Sequence, residues 1–176
     1  MHCSQCASGE IFILTQAVMQ NGIMNTSSIH LSWHNSILTM LFSKWFNQSP
    51  PLASVVIQRG KEVVADFELE ISNTIFRRSR GLMGRSSLGH SNGMLFIYPW
   101  PRIVRIWMAG TPLPLDVIFV DKTGQIIKIE PNMKPFSRKV VSSGCSVKWV
   151  MELAGGEAGR CGLGAGDFVH IALIRS

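Results

Sequence analysis

Six consecutive residues, Leu115-Asp116-Val117-Ile118-Phe119-Val120, constrain this chain more than any other stretch. All but Asp116 are apolar, and Val117, Ile118 and Val120 are β-branched. A short apolar run of this kind reads as a strand covered on both faces, and so as a central one. It is bounded by Ala109-Gly110-Thr111-Pro112-Leu113-Pro114, a proline-stiffened loop, and by Asp121-Lys122-Thr123-Gly124, a hairpin turn. A return strand is expected over 125–129.

The flanking sequence supplies more strands. Residues 62–71 alternate through Val63, Ala65, Phe67, Leu69 and Ile71, a half-buried strand. Ser72-Asn73-Thr74 offers an N-cap, and a short helix follows through Arg77, Arg78 and Arg80 until Gly81 and Gly84. Asn92-Gly93 is a turn signal feeding a buried strand over 94–98, which Pro99 and Pro101 are expected to stop. Further strands are expected over 104–108, 147–153 and 168–173, with a short helix over 154–161. Six or seven strands and two short helices make an α+β fold, mostly β. Its form is an antiparallel or mixed sheet, or a partly closed barrel.

The domain is expected over 60–175. Residues 1–50 read as an extension, largely without stable structure. Within it, residues 29–46 could form a short amphipathic helix, with Ile29, Trp33, Ile37 and Leu41 at helical spacing. No stretch approaches the ~20 apolar residues of a membrane span. No basic start or cleavage pattern marks a secretory signal, which favours a cytoplasmic location.

Chemistry is less legible. There is no H-E-x-x-H, G-x-S-x-G or Walker lysine. Cys3 and Cys6 form a lone C-x-x-C, short of the four ligands that zinc takes, and His2, His30 and His34 have no spacing that would complete it. Neither metal nor cofactor is expected. Cys145 and Cys161 could pair in an oxidising compartment. Met83, Met94 and Met108 read as core fillers, His170 as a packed or edge residue, and the glycines from Gly155 to Gly166 as turns.

Charge is unevenly placed. The net charge is +6, and Ile71 to Leu115 holds six arginines with no acid. This field favours anionic partners. Trp107, Thr111 and Asp116 flank the proline loop, with Arg80 and Arg85 as expected partners of the Asp116 carboxylate. Such a group could bind a small polar or anionic ligand with Trp107 as a wall; alternatively, Asp116 caps the loop backbone and does nothing more.

An ordered series of motifs runs through the same region. It comprises Gly81-Leu82-Met83-Gly84-Arg85, Gly93-Met94-Leu95-Phe96, Trp107-Met108 with Thr111, Pro114-Leu115-Asp116, Phe119 with Asp121 and Gly124, Glu152-Leu153 with Gly155, and Gly162, Gly166 and Asp167. Over about 66–173 the series resembles the uncharacterised, bacterial-type DUF192 family. The resemblance implies a small β-rich domain with no established activity, and export as the alternative location. The family carries Lys-Asn-Thr after Trp-Met, whereas this chain has Ala109-Gly110-Thr111.

The leading expectation is therefore a small binding or accessory domain with a site at Trp107, Thr111, Asp116, Arg80 and Arg85. One alternative is a hydrolase or transferase using Asp116 or Glu152 as a general base. Nucleic-acid binding through the arginines is ranked last and held to be the less favoured partnership. Three of the aromatics among them (Phe76, Phe96, Tyr98, Trp100 and Trp107) are expected in the core.

Overall fold

A computed structural model describes residues 51–88 and 92–174. The expected extension and its helix, and His90, lie outside the described residues. The strands are β1 (Leu52–Arg59), β2 (Glu62–Ser72), β3 (Asn92–Ile106), β4 (Leu115–Val120), β5 (Ile126–Met133), β6 (Val141–Ala154) and β7 (Phe168–Ile174). Two short helices join them, α1 (Ile75–Arg80) and α2 (Glu157–Arg160).

The strands form one sheet in the order β5-β4-β6-β3-β2-β1-β7. All pairs are antiparallel except β2–β3. That parallel pair follows from α1, which lets the chain cross over between the two strands. The fold is α+β and mostly β, and the sheet is mixed and not closed. Its two edges nevertheless touch where Gln125 bridges Phe168. There Ile126 N donates to Asp167 O (2.8 Å), Gly166 N to Ile126 O (2.8 Å) and Val169 N to Gly124 O (2.8 Å).

β4 is buried along its whole length, as its composition requires. Ile118 and Val120 join one core with Ala53, Val55, Ile57, Phe67, Leu69, Leu95, Met151 and Leu153. Leu115, Val117 and Phe119 face the other way, into a second core with Leu82, Met94, Phe96, Val104, Met108, Val141 and Val147. Val104, Val141 and Val147 belong to the far half of the β3–β6 ribbon. That half therefore folds back over the second face of the sheet and supplies its cover.

Three expectations need correction. The strands at 94–98 and 104–108 are one strand, β3. Pro99 and Pro101 sit in a bulge between the pairs Ile97↔Trp149 and Arg102↔Val147, where no ladder amide is required of them. The helix expected over 154–161 is only four residues long. β1, which the sequence reading passed over, lies between β2 and β7 and buries Ala53, Val55 and Ile57 completely. α1 begins as expected, with the Thr74 hydroxyl accepting from Arg77 N at 3.2 Å, and Gly81 ends it at φ +49°.

Candidate functional site

Asp116 is fully buried, and its partners are backbone amides rather than arginines. Oδ1 accepts from Asn132 N (2.8 Å) and Gly156 N (3.0 Å), and Oδ2 accepts from Ala158 N (2.8 Å). One carboxylate thereby ties the start of β4 to the end of β5 and to the turn into α2. Gly155 N adds a bond to Pro114 O at 2.9 Å. A Cβ on Gly155 would lie 2.9 Å from both Asn132 Oδ1 and Pro114 Cβ, so the knot excludes any larger residue there. Asp116 does cap backbone, but the amides belong to β5 and the turn into α2 rather than to the proline loop.

The expected partners are elsewhere. Arg85 makes a bidentate pair with Glu70 of β2, which fastens the loop after α1 to the sheet. Arg80 is exposed in the last turn of α1. Thr111 is buried, and its backbone joins two loops: Thr111 N donates to Met108 O (3.0 Å) and Phe136 N to Thr111 O (3.0 Å). Trp107 stays 41% exposed at the end of β3. No hydrogen bond or ion pair joins the five side chains to one another among the described residues. The post-α1 loop does meet the Trp107 loop, through Gly84 N to Gly110 O at 2.9 Å.

The departure from Lys-Asn-Thr now has a backbone reading. Gly110 has φ +77°, a conformation that Gly takes freely and Asn tolerates better than most residues. Ala109, in the place of the lysine, is buried.

Glu152 behaves differently from Asp116. It is 6% exposed, on the second face of the sheet between Met94 of β3 and Val117 of β4. Among the described residues its carboxyl has no hydrogen bond, and burial pushes it up to about 8. Phe96 and the end of α1 stand beside it: a Cβ on Gly81 would lie 3.4 Å from Phe96 Cζ and 3.7 Å from Glu152 Oε2. Nearby, Arg78 donates to Ile97 O (2.9 Å) and lies over the Tyr98 ring at 5.2 Å, and burial pushes that phenol up to about 12.

The far half of the β3–β6 ribbon and its two end loops concentrate positive charge and exposed rings. Segments 98–115 and 131–151 contain no acid and six cations: Arg102, Arg105, Lys134, Arg138, Lys139 and Lys148. Lys148 Nζ donates to Pro99 O at 2.8 Å. The side chains of the other five have no ion pair or hydrogen bond among the described residues. Among the described residues the ion pairs lie elsewhere, at Arg59–Asp167, Arg85–Glu70, Lys128–Glu130 and Arg160–Glu157. Trp100 is 64% exposed and Phe136 63% exposed. Of the five aromatics weighed earlier, Phe96 is buried and Tyr98 half-buried, while Phe76, Trp100 and Trp107 are exposed. The expectation that three are core is therefore wrong. Alternation in a folded-over ribbon gives one face to the core and leaves the other open.

The family model for DUF192, described as an uncharacterized ACR, matches residues 55–171. The chain belongs to the DUF192 family. Two solved structures resemble this DUF192 domain closely. One, from Sinorhizobium meliloti 1021, is provisionally assigned as a transcription regulator. It is 30% identical with a TM-score of 0.67, over 71% of this chain and 98% of that one. The other, a protein of unknown function from Novosphingobium aromaticivorans DSM 12444, is 30% identical with a TM-score of 0.65, over 68% of this chain and 84% of that one. No curated protein matches. Much of the ordered motif series serves the fold. Gly93 leaves room for the Glu152 carbonyl, Asp121 accepts from Thr123 N (2.8 Å) and Gln125 N (3.0 Å) in its turn, and Asp167 binds Arg59.

Proposed function

We propose that this DUF192 domain is a binding module for an anionic partner, engaged on the ribbon face that carries Trp107. The observation behind this reading is the segregation of charge. Among the described residues four cations outside the ribbon, Arg59, Arg85, Lys128 and Arg160, pair with carboxylates, whereas Arg102, Arg105, Lys134, Arg138 and Lys139 pair with none and share an acid-free ribbon and its loops. Uncompensated positive charge of this kind attracts polyanions over about a Debye length. Of the residues first singled out, Trp107 belongs to this face. Asp116, Thr111 and Arg85 shape its support. The provisional assignment of the Sinorhizobium relative is of a kind with an anionic polymer as partner.

Carboxylate-base catalysis gains less support. The oxygens of Asp116 are occupied by backbone amides, and a Glu152 that holds its proton to about pH 8 is no base at neutral pH.

Retention of the full chain on heparin tests the reading. Reversing Arg105 and Arg138 to Glu should weaken binding about ten-fold or more and lower the salt slope by roughly one to two. Reversing Lys61, at the β1–β2 turn, should do far less. Equal effects from the two changes would refute a localised site.

A further inference from the structure

We infer, resting on that reading, that the anionic partner is a single-stranded nucleic acid laid along the β3–β6 ribbon. Its bases would stack on Trp100, Trp107 and Phe136, and its phosphates would meet Arg102, Arg105, Lys134, Arg138 and Lys139.

The exposed rings set this face apart from a plain cationic patch. A simple polyanion site needs cations and has no use for exposed aromatics. Here three large rings stand out of the surface with no ring contact or side-chain hydrogen bond among the described residues. Phe136 is held out against a backbone cost. Its φ is +56°, in the left-handed region that a bulky residue rarely enters. The bonds Phe136 N to Thr111 O (3.0 Å) and Ser137 N to Lys134 O (3.2 Å) fix the turn around it. A strained turn that exposes an aromatic side chain is more readily understood as serving recognition than as serving packing.

Spacing adds to this. Val104 and Ile106 turn toward the second core, so Ile103, Arg105 and Trp107 turn outward together. Arg105 and Trp107 are thus a cation and a ring on one face, two positions apart. Trp100 has Arg102 two positions on, and Phe136 has Lys134 and Arg138 two positions to either side. A repeated ring-and-cation unit matches a polymer that alternates flat bases with phosphates. Trp100 and Trp107 are seven positions apart, a reach of at most ~25 Å along extended chain, which suits an oligomer rather than a single small anion.

Duplex nucleic acid fits less well. Its bases are already stacked and hidden from an aromatic platform, and reading it from the major groove takes a projecting helix or β-ribbon. α1 has six residues and α2 has four. The ribbon itself lies folded back onto the second core rather than projecting. A bilayer would accept exposed rings and cations, but gains nothing from their interleaving.

The test uses the full chain with a fluorescent oligothymidine of about a dozen nucleotides, read by anisotropy across a salt series. Heparin, a duplex of equal length and vesicles of phosphatidylserine with phosphatidylcholine are run in parallel. Binding to the oligothymidine should be tighter than to the duplex. Trp100→Leu and Trp107→Leu should each weaken it by about five-fold or more. Leucine keeps apolar bulk at these exposed positions but cannot stack, and unchanged thermal melting confirms that each variant folds. Phe136→Gly relieves the backbone and should weaken binding while leaving the fold at least as stable. Heparin binding that survives alongside oligothymidine binding indifferent to both tryptophans would overturn the nucleic-acid assignment and leave the anionic module standing. Preferential binding to vesicles would also overturn it. Failure to bind any of the four probes would remove both proposals.

Discussion

At the scale of single residues, the buried carboxyls of Asp116 and Glu152 meet burial in different ways. Asp116 heads a strand of otherwise apolar residues, where an unpaired charge would be costly. Three amide hydrogen bonds remove that cost and convert the residue into a clamp between β4, β5 and the turn into α2. Asp116→Ala would leave three donors without an acceptor in a buried site. It should lose on the order of 3–5 kcal/mol in urea unfolding. Asp116→Asn keeps one acceptor oxygen for Asn132 and Gly156 and should lose less. A loss below about 1 kcal/mol for the alanine variant would show that the clamp does not hold the fold. The sequence discloses that Asp116 must be satisfied, but not by what. Any residue except proline can supply a backbone amide, so the identities of Asn132, Gly156 and Ala158 give no sign of the role.

Among the elements, β3 was the hardest to read. Its two prolines carry the sequence signature of a stop, and the chain passes both by bulging against β6. What holds the register is Gly93, paired with Leu153. A Cβ at Gly93 would collide with the Glu152 carbonyl and press to 3.0 Å from Leu153 Cδ2 and 3.1 Å from Leu69 Cδ2. Backbone cannot give way as a flexible side chain can. Gly93→Ala should therefore cost at least about 3 kcal/mol, well above the usual effect of one added methyl. Gly84→Ala serves as a control, since no atom lies within 4 Å of its Cβ position and the expected penalty there comes from φ +75° alone. Hydrogen exchange across β3 and β6 should rise in the Gly93 variant and stay confined to the post-α1 loop in the Gly84 variant. Equal costs would mean that register is set elsewhere. Strands with plain alternation or a plain apolar run, β2 and β4, were readable almost to the residue. β1 shows a similar alternation in burial, yet its sequence sits beside a proline-rich segment that reads as a linker.

For the whole molecule, Asp167 and Glu152 push the pH dependence of stability in opposite senses. Asp167 lies where the two sheet edges meet. It accepts from Arg59 Nε (2.8 Å), Arg59 Nη2 (2.9 Å) and Gly164 N (2.8 Å). The Arg59 hydrogen bonds are foremost in holding it below its ordinary value of 3.8. A depressed folded value stabilises the protein above the unfolded value, and that gain is lost as pH falls through the folded one. The Arg59 side chain is more than half exposed, so solvent limits the gain. Glu152 works in the opposite sense. Between 4.5 and about 8 the unfolded chain releases a proton that the folded chain retains, so stability falls as pH rises across that window. Together they place maximum stability near pH 5 (about where the Asp167 gain is complete and the Glu152 loss has barely begun), at the acid end of the usual range. Thermal melting from about pH 3 to about pH 9 should trace a dome leaning toward acid. Glu152→Gln should flatten its alkaline side, gaining on the order of 2–4 kcal/mol near pH 8.5. Asp167→Asn should flatten its acid side. A wild-type melting temperature that holds level or climbs between pH 5 and pH 8 would mean that Glu152 ionises freely. The second core would then have to admit water beside Phe96 and Gly81.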